Sequence, residues 1–399
     1  MRDTLLQRAA ALAMTLGLTS LGLLGAGAAP AQAAFSDCPQ GYFCGWASSD
    51  GSSAGPMFKT NTSMPTLGSW DNKIGTRYNR TGLNVCMYDQ QNYGLAGGYS
   101  WDTPDQNYPT SGGDPDTSSI KLVPTLRECE AKPYPYWETA TSPRAGGFGD
   151  MNGDRRADAV LRDEAGRLWF MPGNGTGRLI GSGGWNAMNA LVRHGDFSRD
   201  GREDVIARER ATGKLWLYPG TGSGGLGARK LIGTGGWNTM GLLAAFGDLS
   251  GDGRSDLLGV EKATGKLWLY PGTGSGGLGA RKLIGTGGWN TMNALVGAGD
   301  MTGDGRADLV AREKATGKLW LYPGTSTRTL GARKLIGTGG WNAMNPLLGV
   351  GDTSGDGRPD LEASDGFSLY QYQGLAAGGL RKVDLYNGSW WGLEDATAF

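Results

Sequence analysis

The chain has 399 residues, 38 basic and 38 acidic side chains, and 39% apolar residues with 14 Trp. A length of this order suggests two or three domains. Zero net charge without a basic block argues against nucleic acid as a partner. The 72 Gly sit among enough apolar and aromatic side chains to read as turns of a folded repeat protein rather than as disorder.

Residues 1–34 read as a secretory signal peptide. Arg2 and Arg8 supply a positive start, residues 9–29 are apolar and small, and Ala31-Gln32-Ala33 fits an A-x-A cleavage site. The alternative, a membrane anchor, is disfavoured by the Gly, Ser and Thr content and by the small-residue site. The expected mature protein is secreted and extracellular, with no membrane segment once the signal is removed.

Residues 35–130 read as a small β domain, followed by a linker at 131–143 with the sequence AKPYPYWETATSP. Cys38, Cys44, Cys86 and Cys129 all lie in this first third, and an even count in an exported segment suggests two disulfides. The preferred pairing is Cys38–Cys44 with Cys86–Cys129, because CPQGYFC closes a short loop. A zinc site is the alternative, with one His in the chain and no C-x-x-C pair to support it. FCGWASSDGSSAG and VCMYDQQNYGLAGG share an aromatic or apolar start, a polar turn and a downstream Gly, which suggests two Greek-key halves.

Residues 144–399 read as one unit written five times. The first aspartates of its acidic loops are Asp150, Asp196, Asp248, Asp300 and Asp352, spaced by 46 residues once and then by 52. Such periods mean a solenoid, a propeller or an array. In the unit beginning near Leu295, LVGAGD, DLVARE, KLWLYPG and GARKLIG are four short strands, and nothing has the pattern of a helix. The LWLY run lacks polar alternation, so both of its faces are expected to be covered, as in a blade between two blades. The last unit is degenerate but complete. The count is five blades, unless the segment near Tyr134–Trp137 donates a strand that closes the ring.

Within each acidic loop, oxygen-bearing side chains fall at positions 1, 3, 5 and 9, with Gly at 4 and 6 for tight turns. An all-oxygen set suits Ca²⁺, a hard cation, and three carboxylates converging without one would repel. The candidate ligands are Asp150, Asn152, Asp154 and Asp158; Asp196, Ser198, Asp200 and Asp204; Asp248, Ser250, Asp252 and Asp256; Asp300, Thr302, Asp304 and Asp308; and Asp352, Ser354, Asp356 and Asp360. Arg155 stands at the sixth position of the first loop and Arg199 at the fourth of the second, so those turns are expected to be strained. Up to five structural Ca²⁺ ions would then staple the blades.

Residues 211–240 and 263–292 are identical, and packing alone does not fix Lys, Arg, Thr or Asn. The repeat region also carries four Gly-Gly-Trp-Asn loops: Trp185 and Asn186, Trp237 and Asn238, Trp289 and Asn290, Trp341 and Asn342. A Trp face with an amide suits a sugar ring and its hydroxyls. The competing reading packs these Trp residues between blades.

The D-x-[NST]-x-D-x-R-x-D pattern resembles the FG-GAP/VCBS repeats of integrin α-chain propellers and many exported bacterial proteins. That resemblance implies a Ca²⁺-loop β-propeller over residues 144–399. The opening CPQGYFC, the DNKIGT…NRTG stretch at 71–82 and VCMYDQQNYG are similar to the bacterial metalloproteinase-inhibitor family, which implies a β/γ-crystallin-like fold. Crystallin-type calcium loops would then fall at Asp71-Asn72 and Asp116–Ser119. That family's reactive loop is held by a second disulfide closing within a few residues. Cys86-Met87-Tyr88 has only Cys129 left to pair with, a departure that bears on inhibition.

The fold expected is all-β, a small Greek-key β/γ-crystallin-like domain followed by a five-bladed propeller. His194 is the one histidine, no G-x-S-x-G is present and no thiol is spare, so the chain reads as a binder rather than an enzyme. The expected role is a monomeric calcium-stabilised protein whose propeller binds an extracellular protein or glycan. The alternative is a metalloprotease inhibitor anchored by the propeller.

Overall fold

In a computed structural model of the chain, residues 34–95, 97–111, 116–129, 136–143, 149–175, 177–365, 368–389 and 397–399 are described. The expected signal peptide up to Ala33, residue 130 at the end of the small domain, the expected linker at 131–135 with Tyr134, and the start of the repeat region at 144–148 lie outside them. Among the described residues the structure is all-β, in seven small sheets with short 3₁₀ turns and no α-helix.

The N-terminal part holds two three-stranded sheets. β1 (Phe43–Trp46), β2 (Met57–Thr60) and β3 (Thr76–Asn79) run in the order β2-β1-β3; β4 (Asn84–Tyr88), β5 (Tyr99–Asp102) and β6 (Ser119–Val123) run β5-β4-β6. In each, the first strand of its half is central, which is the duplication seen in the sequence. Phe43, Phe58, Ile74, Val85, Met87 and Ile120 form the core shared by the two sheets. The disulfides are Cys38–Cys44 and Cys86–Cys129, with sequence separations of 6 and 43. The second fastens β4 to the 3₁₀ turn Leu126–Cys129.

Five sheets follow. β7 (Tyr136–Trp137) precedes β8 (Ala159–Arg162), β9 (Leu168–Met171) and β10 (Arg178–Gly181). The second sheet holds β11 (Met188–Gly195), β12 (Asp204–Glu209), β13 (Leu215–Tyr218) and β14 (Lys230–Gly233). The third holds β15 (Met240–Phe246), β16 (Asp256–Glu261), β17 (Leu267–Tyr270) and β18 (Lys282–Gly285). The fourth holds β19 (Met292–Gly297), β20 (Leu309–Glu313), β21 (Leu319–Tyr322) and β22 (Lys334–Gly337). β23 (Leu347–Gly351), β24 (Asp360–Ser364), β25 (Ser368–Leu375), β26 (Gly379–Ser389) and β27 (Thr397–Ala398) end the series.

The second to fourth sheets are antiparallel meanders in sequence order, as the four-strand parsing anticipates. Their hairpins turn at Ala-Thr-Gly. Gly213, Gly265 and Gly317 adopt φ of 65°, 65° and 63°, a region where Gly has no Cβ penalty. The two end sheets exchange strands across the series: β27 pairs with β8 in the order β10-β9-β8-β27, and β7 pairs with β26 in the order β23-β24-β25-β26-β7. The suspected N-terminal strand thus exists, while the C-terminal one carries no signal a two-residue segment could give.

The first strands of sheets two to five lie side by side with β27. Leu191–Arg193, Leu243–Ala245, Leu295–Gly297, Leu347–Gly349, Ala398 and Phe399 line one recess of about 150 Å³. A Cβ at Gly349 would fall 2.3 Å from the Gly297 carbonyl oxygen, so backbones meet there and only Gly fits. This propeller-like arrangement is the one that FG-GAP-type repeats suit. Strand three is covered on both faces, one more tightly than the other. Leu319 and Leu321 are fully buried while Trp320 and Tyr322 are half-buried. Leu319 and Leu321 pack with Leu361 and Ala363 of the next sheet, and Tyr322 packs against Leu258, Leu267 and Leu269 of the preceding one, so both faces are covered by apolar neighbours.

Candidate functional site

The last four acidic loops connect the first and second strands of their sheets, the first one leads into β8, and each is organised by its own backbone. The first aspartate accepts amide N–H groups from three to five residues ahead. Asp300 Oδ1 takes Gly303 N at 2.7 Å and Asp304 N at 2.9 Å, and its Oδ2 takes Gly305 N at 2.7 Å. Asp196, Asp248 and Asp352 repeat this with Gly201, Gly253 and Gly357 at 2.8, 2.7 and 2.8 Å. In the first loop Asp150 takes Gly153 N at 2.6 Å and Arg155 N at 3.0 Å. The fifth-position aspartates, Asp154, Asp200, Asp252, Asp304 and Asp356, each accept the N–H two residues on. These donors offset part of the mutual repulsion, a contribution that charge counting along the sequence leaves out.

The ninth-position aspartate does a second job. Asp204 Oδ2 accepts Ser198 N at 2.8 Å inside the loop, and its Oδ1 accepts Gly220 N at 3.0 Å beyond strand three. Asp256 does the same with Ser250 and Gly272, Asp308 with Thr302 and Gly324, and Asp360 with Ser354 and Gly374. Each loop is thereby pinned to its own sheet. Burial raises the carboxyl pKa of Asp204, Asp308 and Asp360, and pushes Asp256 up to about 6, with Asp248 and Asp252 adding to the rise. Asp158 is pushed to about 8, chiefly by burial and further by Asp154 and Asp150, although Arg193 opposes this.

The oxygens of Asp196, Asp200 and Asp204 lie within 4.8 Å of one another, the one such three-acid group among the described residues. Ser198 Oγ adds a hydroxyl 3.5 Å from Asp196 Oδ1. Asn152 instead donates to Asp154 Oδ2 at 3.1 Å. Asp158 Oδ1 and Thr302 Oγ1 are buried without a hydrogen-bond partner. The donor set is oxygen throughout and matches a hard cation. Arg155 and Arg199 have φ of 66° and 61°, so both irregular loops keep the left-handed turn their glycine counterparts use. In the N-terminal module Asn72 N donates to Thr117 O at 3.0 Å and Ser118 Oγ to Asn72 Oδ1 at 3.2 Å, bringing the 71–72 and 116–119 segments together. Asp71 Oδ1 is buried there without a partner.

Trp185, Trp237, Trp289 and Trp341 are half-buried in short 3₁₀ turns. Their rings lie 4.6, 4.5, 4.6 and 4.4 Å from those of Tyr218, Tyr270, Tyr322 and Tyr372. Asn186, Asn238 and Asn342 donate their amides to the carbonyls of Glu164, Arg210 and Lys314 at 2.8, 2.9 and 2.8 Å. These three amide donors hold the hairpin of the preceding sheet.

Polar groups absent from the sequence argument stand beside the Trp–Tyr pairs. Gly287, Gly288, Trp289, Glu313, Tyr322 and Arg333 line a recess of about 400 Å³ at the fourth sheet. Arg333 lies 4.0 Å over the ring of Trp320, as Arg281 lies 3.9 Å over Trp268 and Arg229 4.1 Å over Trp216. Glu313, Glu261 and Glu209 each accept the hydroxyl of the hairpin Thr three residues on. Arg229 and Arg281 sit inside the identical 30-residue blocks, which is the signal that could have found them. His194 lies in β11.

Residues 31–101 match the model of peptidase inhibitor family I36, and residues 196–259, 248–311 and 300–361 match the FG-GAP-like repeat. The first acidic loop lies before the matched repeats. None of the curated proteins matches the chain. Among solved structures, an Agrocybe aegerita lectin described as recognising non-reducing terminal N-acetylglucosamine is 17% identical, with 90% of this chain and 94% of that one covered and a TM-score of 0.38. A Photorhabdus luminescens Tc holotoxin pore is 14% identical over 78% of this chain and 15% of that one, at 0.33. A puromycin hydrolase is 16% identical over 62% and 42%, at 0.32. Scores of this size establish neither a shared fold nor a shared activity. The chain thus carries a segment of the peptidase inhibitor family I36 on its N-terminal side and a run of FG-GAP-like repeats behind it.

Proposed function

We propose that the protein is an exported, non-catalytic peptidase-binding protein, in which a crystallin-like inhibitor module rides on a five-bladed, calcium-stabilised propeller. The match of residues 31–101 to a peptidase inhibitor family carries this reading. Buried carboxylates that burial and neighbouring charge hold above their ordinary range are where a cation lowers the energy most. Asp196, Ser198, Asp200 and Asp204 would hold one such ion, and the corresponding residues of the other loops the rest. Bound Ca²⁺ would supply charge neutralisation and a tie between first and second strands, and no chemistry on a substrate. Each of the five sheets would be a blade, with β27 and β7 closing the ring.

The test is inhibition of a thermolysin-like metallopeptidase by the exported chain, with and without Ca²⁺. Stoichiometric inhibition supports the reading, and full peptidase activity at a large excess of the chain sinks it. A second reading, glycan binding by the propeller, is favoured by the recurrence of Trp, Tyr, Glu and Arg in sheets two, three and four. Repeated weak sites of that kind gain avidity through multivalency.

A further inference from the structure

We propose that residues 103–111 of the N-terminal module form the loop that meets the peptidase, with Tyr108 as the side chain that enters its hydrophobic specificity pocket. This rests on the inhibitor reading above and places its contact surface. Tyr108 is 74% exposed, the highest figure for a large hydrophobic side chain among the described residues. Tyr ordinarily buries much of its ring. Cys86-Met87-Tyr88, the segment that the family resemblance brings forward, is no candidate, because β4 is a buried central strand.

The loop is held on both sides of its tip. Asp105 N donates to Thr81 O at 3.0 Å and Gln106 N to Asn79 O at 2.9 Å; Asn79 N returns a bond to Gln106 Oε1 at 3.1 Å. Arg77 and Thr110 exchange both backbone bonds, at 3.0 and 2.8 Å. Gln106 Nε2 reaches Thr110 Oγ1 at 3.2 Å and closes the neck. Beneath it, the buried Asn79 amide donates to Thr103 O at 2.7 Å, and Arg77 Nε to Asp102 Oδ1 at 3.0 Å. Asn107, Tyr108 and Pro109 are what project.

A loop ordered before it meets its partner loses little entropy on binding, and exposed aromatic anchors carry a large share of interface energy. Proline restricts the residue before it to extended backbone, the form in which peptide segments lie along another chain's strand edge. Pro109 also leaves the bond after Tyr108 a tertiary amide without an N–H. The partner is therefore an endopeptidase with a deep apolar pocket, and the bond after Tyr108 stays uncut.

The experiment measures inhibition of thermolysin and of a subtilisin-type peptidase by the exported chain as wild type, Tyr108→Ala, Tyr108→Phe and Pro109→Ala. Tyr108→Ala is expected to weaken inhibition ~30-fold or more with an unchanged melting temperature, while Tyr108→Phe stays within a few-fold of wild type. Pro109→Ala is expected to be cut after residue 108, as read by mass spectrometry. A wild type that inhibits while Tyr108→Ala inhibits equally well overturns the loop assignment and leaves the inhibitor reading standing. A wild type that inhibits neither peptidase overturns both.

Discussion

Arg199 has φ 61° at a position where the other four loops place Gly153, Gly251, Gly303 and Gly355 at φ between 71° and 80°. A side chain in this region costs about 1–2 kcal/mol, and Gly there loses more entropy on folding, which returns part of the gain. Arg199→Gly is therefore expected to stabilise the fold by up to about 1 kcal/mol, seen as a higher melting temperature. Arg155→Gly is not, because Arg155 Nε and Nη2 donate to Ser142 O at 3.3 and 3.0 Å. Glu362 is fully buried in β24, accepts Trp137 Nε1 at 3.1 Å, and has its pKa pushed from 4.5 to about 8, chiefly by burial. With the folded value raised, the protonated form is favoured in the fold. The stability it contributes is complete below pH 4.5 and is lost as pH rises towards 8. Glu362→Gln should thus melt near wild type at pH 4.5 and above it at pH 8.5, in paired thermal scans.

Hairpins were legible in the sequence because short apolar runs, the turns between them and the 52-residue period agree, and the loops because aspartates recur at fixed offsets. The Glu and Arg side chains beside the Trp–Tyr stacks were not. Glu313 and Arg333 are twenty residues apart, and a sheet must form before they line one recess. Nor could β27 be read, since Thr397 and Ala398 carry no period. Their partners are Arg162 and Leu161, and Phe399 exchanges backbone bonds with Val160 at 2.9 and 3.2 Å. Removing residues 397–399 leaves the β8 edge unpaired. The truncated chain should melt lower and self-associate, as followed by scanning calorimetry and light scattering.

At the scale of the molecule, the small module rests on the first repeat sheet. Asn84 Nδ2 donates to Glu164 Oε1 at 2.8 Å, and Arg167 pairs with both Glu128 and Asp163. These contacts are buried or partly buried and couple two parts that each have their own core. On the calcium reading proposed above, chelation is accordingly expected to lower the melting of the repeat region and to leave that of residues 35–130, read separately by hydrogen exchange of each region, nearly unchanged.

β27 also sets an order of events during synthesis. Arg162 and Thr397 are 235 residues apart, so the first repeat sheet to emerge from the ribosome is the last to receive its inner strand. Until then its neighbours can form as independent hairpins, whereas it waits on a very long loop closure. A chain crossing a membrane unfolded would complete the ring on the far side, after nearly all of it has passed. On the proposed export route, the pairing of β27 with β8 would thus follow translocation rather than compete with it.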